Sequence, residues 1–162
     1  MTDKTNIRII QATEDDIPRI SEIEQESNTP PWTHGSLLNE LYNEDSFFIV
    51  ADKQLQSDIQ NESNQNYSII GYALLRRIDN AGEILKVAVE KSHRRTGIGE
   101  LLIKSCLDYA RSNSMESVIL EVRKSNTPAI KLYDKHGFKP IRTRKDYYTN
   151  PLEDAIIMKR NK

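Results

Sequence analysis

Isoleucines at 17, 20 and 23 recur every three residues, the spacing of one helix face, and Thr13 ahead of them is a capping residue with Asp16 three positions on. Pro18 falls early in this helix, where it can bend the chain without ending the helix. Pro30-Pro31 halts helix, and Leu37, Leu38 and Leu41 predict another over residues 33–43. Between and around them, 6–11, 47–51 and 69–77 are short apolar strand segments, with a turn signal at Ala81-Gly82. Residues 83–90 hold three apolar positions in a row, Val87-Ala88-Val89, the pattern of a strand covered on both faces. Leu101, Leu102, Cys106, Leu107 and Ala110 then repeat at helical spacing over 99–113, and 117–123 is a strand. Asn126-Thr127-Pro128 opens a further helix that Gly137 closes, and strands over 138–144 and 155–159 finish the pattern.

Alternating strands and helices predict one α/β (α+β) domain over 1–162, with 83–90 and 117–123 parallel around a crossover helix. Residues 52–68 hold three apolar side chains in seventeen and are expected to form a long, polar, mobile hairpin connection. The chain has 162 residues, 37% of them hydrophobic, enough for one core. No apolar run approaches the ~20 residues of a membrane helix, and the first residues carry no apolar leader. With one cysteine, Cys106, on an apolar helical face, the expectation is a cytoplasmic protein with a buried thiol. His34, His93 and His136 show no metal-ligand spacing with one another or with Cys106, so no metal is expected.

The sharpest motif is Arg94-Arg95-Thr96-Gly97-Ile98-Gly99, between a buried strand and a helix. Two glycines let consecutive N–H groups turn into one concavity, and the helix start adds unpaired N–H groups and the positive dipole end. With two arginines beside it, the turn suits a pyrophosphate. It is not a P-loop, since no Lys follows the second glycine. Nor is it a dinucleotide fingerprint, since Leu102 stands where the third glycine belongs.

The R-x-x-G-x-G pattern resembles the acetyl-CoA signature of the GNAT family of N-acetyltransferases. Leu120-Glu121-Val122-Arg123, Ser125-Asn126, Ala129-Ile130-Lys131-Leu132-Tyr133 and Gly137-Phe138 resemble the second half of that family's domain. Arg142, Tyr147-Tyr148 and Asp154-Ala155-Ile156-Ile157-Met158, with Pro31-Trp32 upstream, resemble its ribosomal-protein alanine N-acetyltransferase branch and the archaeal enzymes that acetylate protein N-termini. The likeness spans about residues 6–160; only the 52–68 connection departs from it. It implies a mixed central sheet whose two parallel strands splay apart at the acetyl-CoA site, with helices on both faces.

The resemblance assigns roles residue by residue. The backbone of Val87, Ala88 and Val89 would pair with the pantetheine arm, with the Val89 N–H as donor to the thioester carbonyl. Arg94, Arg95, Thr96, Gly97, Ile98, Gly99 and Glu100 would cradle the pyrophosphate, and Asn126 would hold the cofactor arm or cap its own helix. Glu121, on the strand face opposite Val118, Leu120 and Val122, is the expected base; burial would raise its pKa, and a salt bridge to Arg123 stays open as the bland alternative. Tyr133 is the expected acid for the departing thiolate, or else a core aromatic. Trp32, Tyr147 and Tyr148 would line the peptide groove.

Net charge is −1, yet residues 1–62 carry 4 basic and 13 acidic side chains, and residues 63–162 carry 19 basic and 11 acidic. The basic part is expected to serve the anionic cofactor and the acidic part the substrate's α-amino group, unless the two interleave in space. The resemblance implies acetyl transfer to the N-terminus of a protein, ribosomal-protein-like and beginning with Ala, Ser or Met. No nucleic acid or membrane is expected as partner, and the chain would be a monomer or weak dimer. The rival readings are a small-molecule amine acetyltransferase and a non-catalytic acyl-CoA-binding module.

Overall fold

In the computed structural model, which describes residues 6–54 and 67–162, seven strands form one sheet in the order β1-β2-β3-β4-β5-β7-β6. The strands are β1 (Ile7–Gln11), β2 (Ser46–Gln54), β3 (Tyr67–Ile78), β4 (Ala81–Val89), β5 (Ser117–Arg123), β6 (Lys139–Thr149) and β7 (Leu152–Asn161). The helices are α1 (Ile17–Ser27), α2 (His34–Leu41), α3 (Ile98–Ser112) and α4 (Thr127–Lys135). Every pairing is antiparallel except β4 with β5, the crossover unit that the sequence pattern predicts.

The two faces of the sheet bury different sets of side chains. On one, Ile70, Ala73, Leu75, Ile84, Val118, Leu120 and Val122 pack with Leu102, Ile103 and Cys106 of α3 and Tyr133 of α4. On the other, Phe48, Val50, Tyr72, Leu74 and Ala88 pack with Ile17, Ile20 and Ile23 of α1 and Leu37 of α2. Pro18 stands in the first turn of α1, where it costs no hydrogen bond, and the Thr13 N–H donates to Asp16 Oδ2 (2.7 Å) just before it.

Strand ends differ from the sequence expectation in one consistent way. β2 and β3 run on into polar residues, Gln54 pairing with Tyr67, because the backbone ladder is indifferent to side-chain polarity. The polar connection expected at 52–68 thus shortens at both ends; residues 55–66 lie outside the described residues. The turn expected at Ala81-Gly82 sits at Asp79-Asn80, with Asp79 at φ 53°. Gly82 is instead a buried strand position, where a Cβ would lie 3.0 Å from Met115 Sδ. β6 and β7 likewise extend further than predicted, to meet at Asn150-Pro151.

Candidate active site

The β4–β5 ladder covers only Ala81–Ile84 against Ser117–Leu120. Beyond it β4 continues to Val89 beside β3, and β5 continues to Arg123 beside β7, so the parallel strands part into a fork. The Glu90 N–H donates to Ile70 O (2.8 Å), and by antiparallel alternation the peptides of Ala88 and Lys86 also face β3. Those of Val87 and Val89 therefore face the gap, with Val89 O accepting from Arg94 Nε (2.9 Å). Of the three expected backbone contacts, Val87 and Val89 open into the fork and Ala88 does not.

The glycine turn closes one end of this gap. Arg95 (φ 66°) and Gly97 (φ 90°) both take left-handed backbone, and Thr96 Oγ1 donates to His93 O (2.6 Å) inside the turn. The first bond of α3 runs from Leu101 N to Gly97 O, so the N–H groups of Ile98 and Gly99 precede the helix ladder. A Cβ on Gly99 would stand 3.4 Å from the Leu132 side chain of α4 and 3.9 Å from that of Val89, so β4, α3 and α4 converge at this glycine. Glu100, in the first turn of α3, is held by Lys135 Nζ (2.8 Å). These residues fit a pyrophosphate-bearing acyl carrier: a concave run of N–H groups at a helix start, continued by an unpaired strand edge. Arg94 and Arg95 are both exposed; Arg94 donates to Val89 O and Ser27 Oγ, whereas Arg95 has no ion-pair partner among the described residues.

Glu121 stands on the β5 arm of the fork, on the α1–α2 face. It is partly exposed and accepts from Arg144 Nη1 (2.5 Å). The alternative pairing with Arg123 does not form. Arg123 lies over the Tyr148 ring (4.0 Å), pairs with Glu153 and donates to Thr29 O (2.7 Å). Glu121 and Arg123 share a strand face, but each pairs with a neighbouring segment instead, Arg123 with Glu153 of β7 and Glu121 with Arg144 of β6. Tyr147 lies against Glu121, whose carboxylate holds the phenol in its protonated form.

Sequence reasoning missed Glu83. It sits on β4 opposite Ile119, one rung before the fork and diagonal to Glu121. Burial, then the Glu121 charge, pushes its pKa up, against Arg76 and Arg144. No sequence signal marks it, because nothing in the order of residues says that Ile119 and Arg76 stand across the ladders on its two sides.

Tyr133 is buried against Phe138 in the α3–α4 core (ring centres 5.9 Å apart), and burial pushes its phenol up to about 12, so it keeps its proton at neutral pH. Asn126 caps α4, its side-chain oxygen accepting from the Ala129 N–H (3.3 Å). Trp32 lies between α1 and α2, half-buried, with Lys86 Nζ 4.9 Å from its ring centre. Trp32 therefore leans on the β4 arm and Tyr148 on the β5 arm, and Arg123 ties the segment before Trp32 to the β6–β7 turn through Thr29 O and Asn150 O. Cys106 is fully buried and its thiol is pushed up to about 12, which leaves it inert. His93 binds Glu90 and Lys53, and no metal-holding cluster occurs among the described residues.

Comparison with known proteins agrees with this geometry. The acetyltransferase (GNAT) family profile matches residues 17–138. The ribosomal protein bS18-alanine N-acetyltransferase of Haemophilus ducreyi is 32% identical over 90% of this chain and 93% of its own length. The Escherichia coli enzyme of that name is 30% identical over 88% and 89%. A crystal structure of the Escherichia coli enzyme superposes with a TM-score of 0.80 at 25% identity, covering 96% of this chain and 93% of that one. Ard1 from Thermoplasma volcanium superposes at 0.81 with 28% identity, covering 97% and 98%.

Proposed function

The chain belongs to the acetyltransferase (GNAT) family and is an N-acetyltransferase using acetyl-CoA, and from that premise we propose that its acceptor is the α-amine of a protein N-terminus. The substrate class is a ribosomal protein beginning with Ala, Ser or Met. One observation carries this reading: the fork opens onto a rim made by Trp32 on one side and Tyr147-Tyr148 on the other, with two carboxylates at its root. A chain terminus can pass between such lips, and its ammonium group meets Glu121 and Glu83. The names of the bS18-alanine relatives support the same acceptor.

When bound, acetyl-CoA supplies an activated acyl carbon on a thiol leaving group. The residues of this chain do the rest. The N–H groups of Ile98 and Gly99 and the dipole of α3 bind the pyrophosphate, and the Val87 and Val89 peptides hold the arm along β4. The Val89 N–H polarises the acyl oxygen. Glu121, held in place by Arg144, takes a proton from the ammonium group so that the amine becomes a nucleophile. Tyr133 keeps its proton at neutral pH and donates to the departing thiolate. Transfer is direct, because Cys106 is buried among apolar groups and does not form an acyl-enzyme.

Incubating the protein with acetyl-CoA and a library of N-terminal peptides, read by mass spectrometry, tests the reading. The expected product is a mass gain of one acetyl group on the α-amine of Ala-, Ser- or Met-initiated peptides. Acetylation confined to lysine side chains or small amines overturns it.

A further inference from the structure

Glu24 is the most completely buried carboxylate on the substrate side of the sheet, with 0% of its surface exposed. It lies on α1 within the apolar face made by Ile17, Ile20 and Ile23. A buried charge is tolerated only when paired and saturated with hydrogen bonds. Glu24 meets this condition with four donors. Lys86 Nζ lies 2.7 Å from Oε1, the Trp32 backbone N–H donates to Oε1 (2.9 Å), Asn28 Nδ2 donates to Oε2 (2.5 Å), and Tyr72 Oη donates to Oε2. Burial pushes its pKa up, but the bonds from Lys86, Tyr72 and Trp32 outweigh it and the carboxyl is held below its usual range.

Two of the four donors, Asn28 and Trp32, bracket the rim segment that joins α1 to α2. A third, Lys86, is the cation beneath the Trp32 ring and belongs to the β4 arm of the fork. One carboxylate thus fixes the backbone of the rim residue and the charge under its ring at once. Arg123 holds the same segment from the β5 arm through Thr29 O. Simple stabilisation of α1 would not require the donors to converge on the rim, since an apolar side chain in that core would serve the helix as well.

We propose that Glu24 is a positioning residue for the acceptor site: it sets Trp32 at the height and orientation at which the rim receives the incoming chain terminus. The proposal rests on the N-terminal acceptor reading above. It makes the rim a pre-formed wall, so Glu24 acts on recognition of the acceptor and leaves acetyl-CoA binding untouched.

Trp32 is the one tryptophan of the chain, so its fluorescence reports the rim directly. The test replaces the buried pair by apolar groups of similar volume in the double variant E24L/K86M, which keeps the core filled and leaves the Trp32 N–H without its acceptor. The milder E24Q keeps an acceptor oxygen for that N–H but leaves Lys86 unpaired. The double variant is expected to melt below the wild type, because the buried Tyr72 hydroxyl loses its acceptor along with the Trp32 N–H, and to show stronger collisional quenching of Trp32. Its KM for an Ala-initiated peptide should rise about tenfold, the worth of one hydrogen bond, while the KM for acetyl-CoA stays unchanged. E24Q should move quenching and peptide KM the same way by less. If the double variant does not fold, E24Q decides alone. Wild-type quenching with a wild-type peptide KM overturns the proposal, as does an equal rise in both KM values. If the wild type acetylates no N-terminal peptide, the acceptor reading falls, while Trp32 quenching in the variants still decides whether Glu24 sets the rim.

Discussion

Single side chains at the fork differ in what surrounds them, and the expected consequences differ accordingly. Glu121 is a partly exposed carboxylate held by Arg144, so Glu121→Gln keeps shape and removes the proton acceptor. The variant should lose about 10²–10⁴-fold in kcat, the usual range for a general base, with little change in acetyl-CoA affinity by titration calorimetry. Wild-type turnover in that variant would remove Glu121 as the base and leave it as the ion-pair partner of Arg144. Glu83 has its own signature. Its folded pKa is raised, so the stability it contributes is present below the usual carboxylate pKa and is lost as pH rises through the raised value. Glu83→Gln should therefore raise the melting temperature at pH 8, and the gain should vanish as the pH falls below about 4, the ordinary glutamate range. Cys106, with its thiol pushed up to about 12 and no exposed surface, should resist alkylation in the folded protein and react only after denaturation, as thiol titration will show.

Elements decide the site through where they stop pairing. β4 and β5 share four rungs and then part, because each arm is held by a different neighbour, β3 and β7 respectively. The gap is thus a product of the antiparallel ladders on either side. The glycine turn that closes it depends on one backbone angle. Gly97 at φ 90° takes a conformation that costs a residue with a Cβ about 1–2 kcal/mol. Gly97→Ala should lower stability by about that amount in chemical denaturation and raise the KM for acetyl-CoA more than that for the peptide, since the strained residue adjoins the N–H groups that bind the pyrophosphate.

Across the whole molecule, the imbalance between residues 1–62 and 63–162 is partly cancelled by folding. Glu24 meets Lys86 and Glu40 meets Arg76, so acidic residues of the first segment neutralise basic residues of the second inside the structure. Charges of both signs stay unpaired, and among the cations without an ion-pair partner in the described residues are Arg95 at the glycine turn and Arg142 and Lys145 on the exposed edge strand β6. Arg94 and Arg95, both exposed at the glycine turn, make the local field there favour an anionic reactant although the chain's net charge is −1. At limiting acetyl-CoA, kcat/KM should fall several-fold between about 0.05 and 0.5 M salt, as the screening length shrinks below the size of the site. A salt-independent rate would assign the unpaired cations to solvation alone. β6 is also protected from pairing with another chain by Pro140, its cations and two register shifts.

The fold class, the crossover unit, the glycine turn and the core faces of α1 and α3 were legible in the chain because they depend on periodicity and on local backbone freedom. Ile17, Ile20 and Ile23 face the core wherever α1 packs, and Gly97 permits its turn whatever follows. The partners of the charges were not legible. Glu121 meets Arg144 rather than Arg123, Glu83 gains its character from a strand 34 or more residues onward, and Glu24 collects donors from α1's own end, β3 and β4. Strand boundaries failed for a related reason, since the ladder continues through polar residues when a neighbouring strand offers its edge. By itself the sequence determined which segments turn, coil and hide, because those are short-range properties of residue type. Only the tertiary structure decided which carboxylate meets which cation and where two parallel strands part, because electrostatic pairing and strand separation depend on distances that the order of residues does not encode.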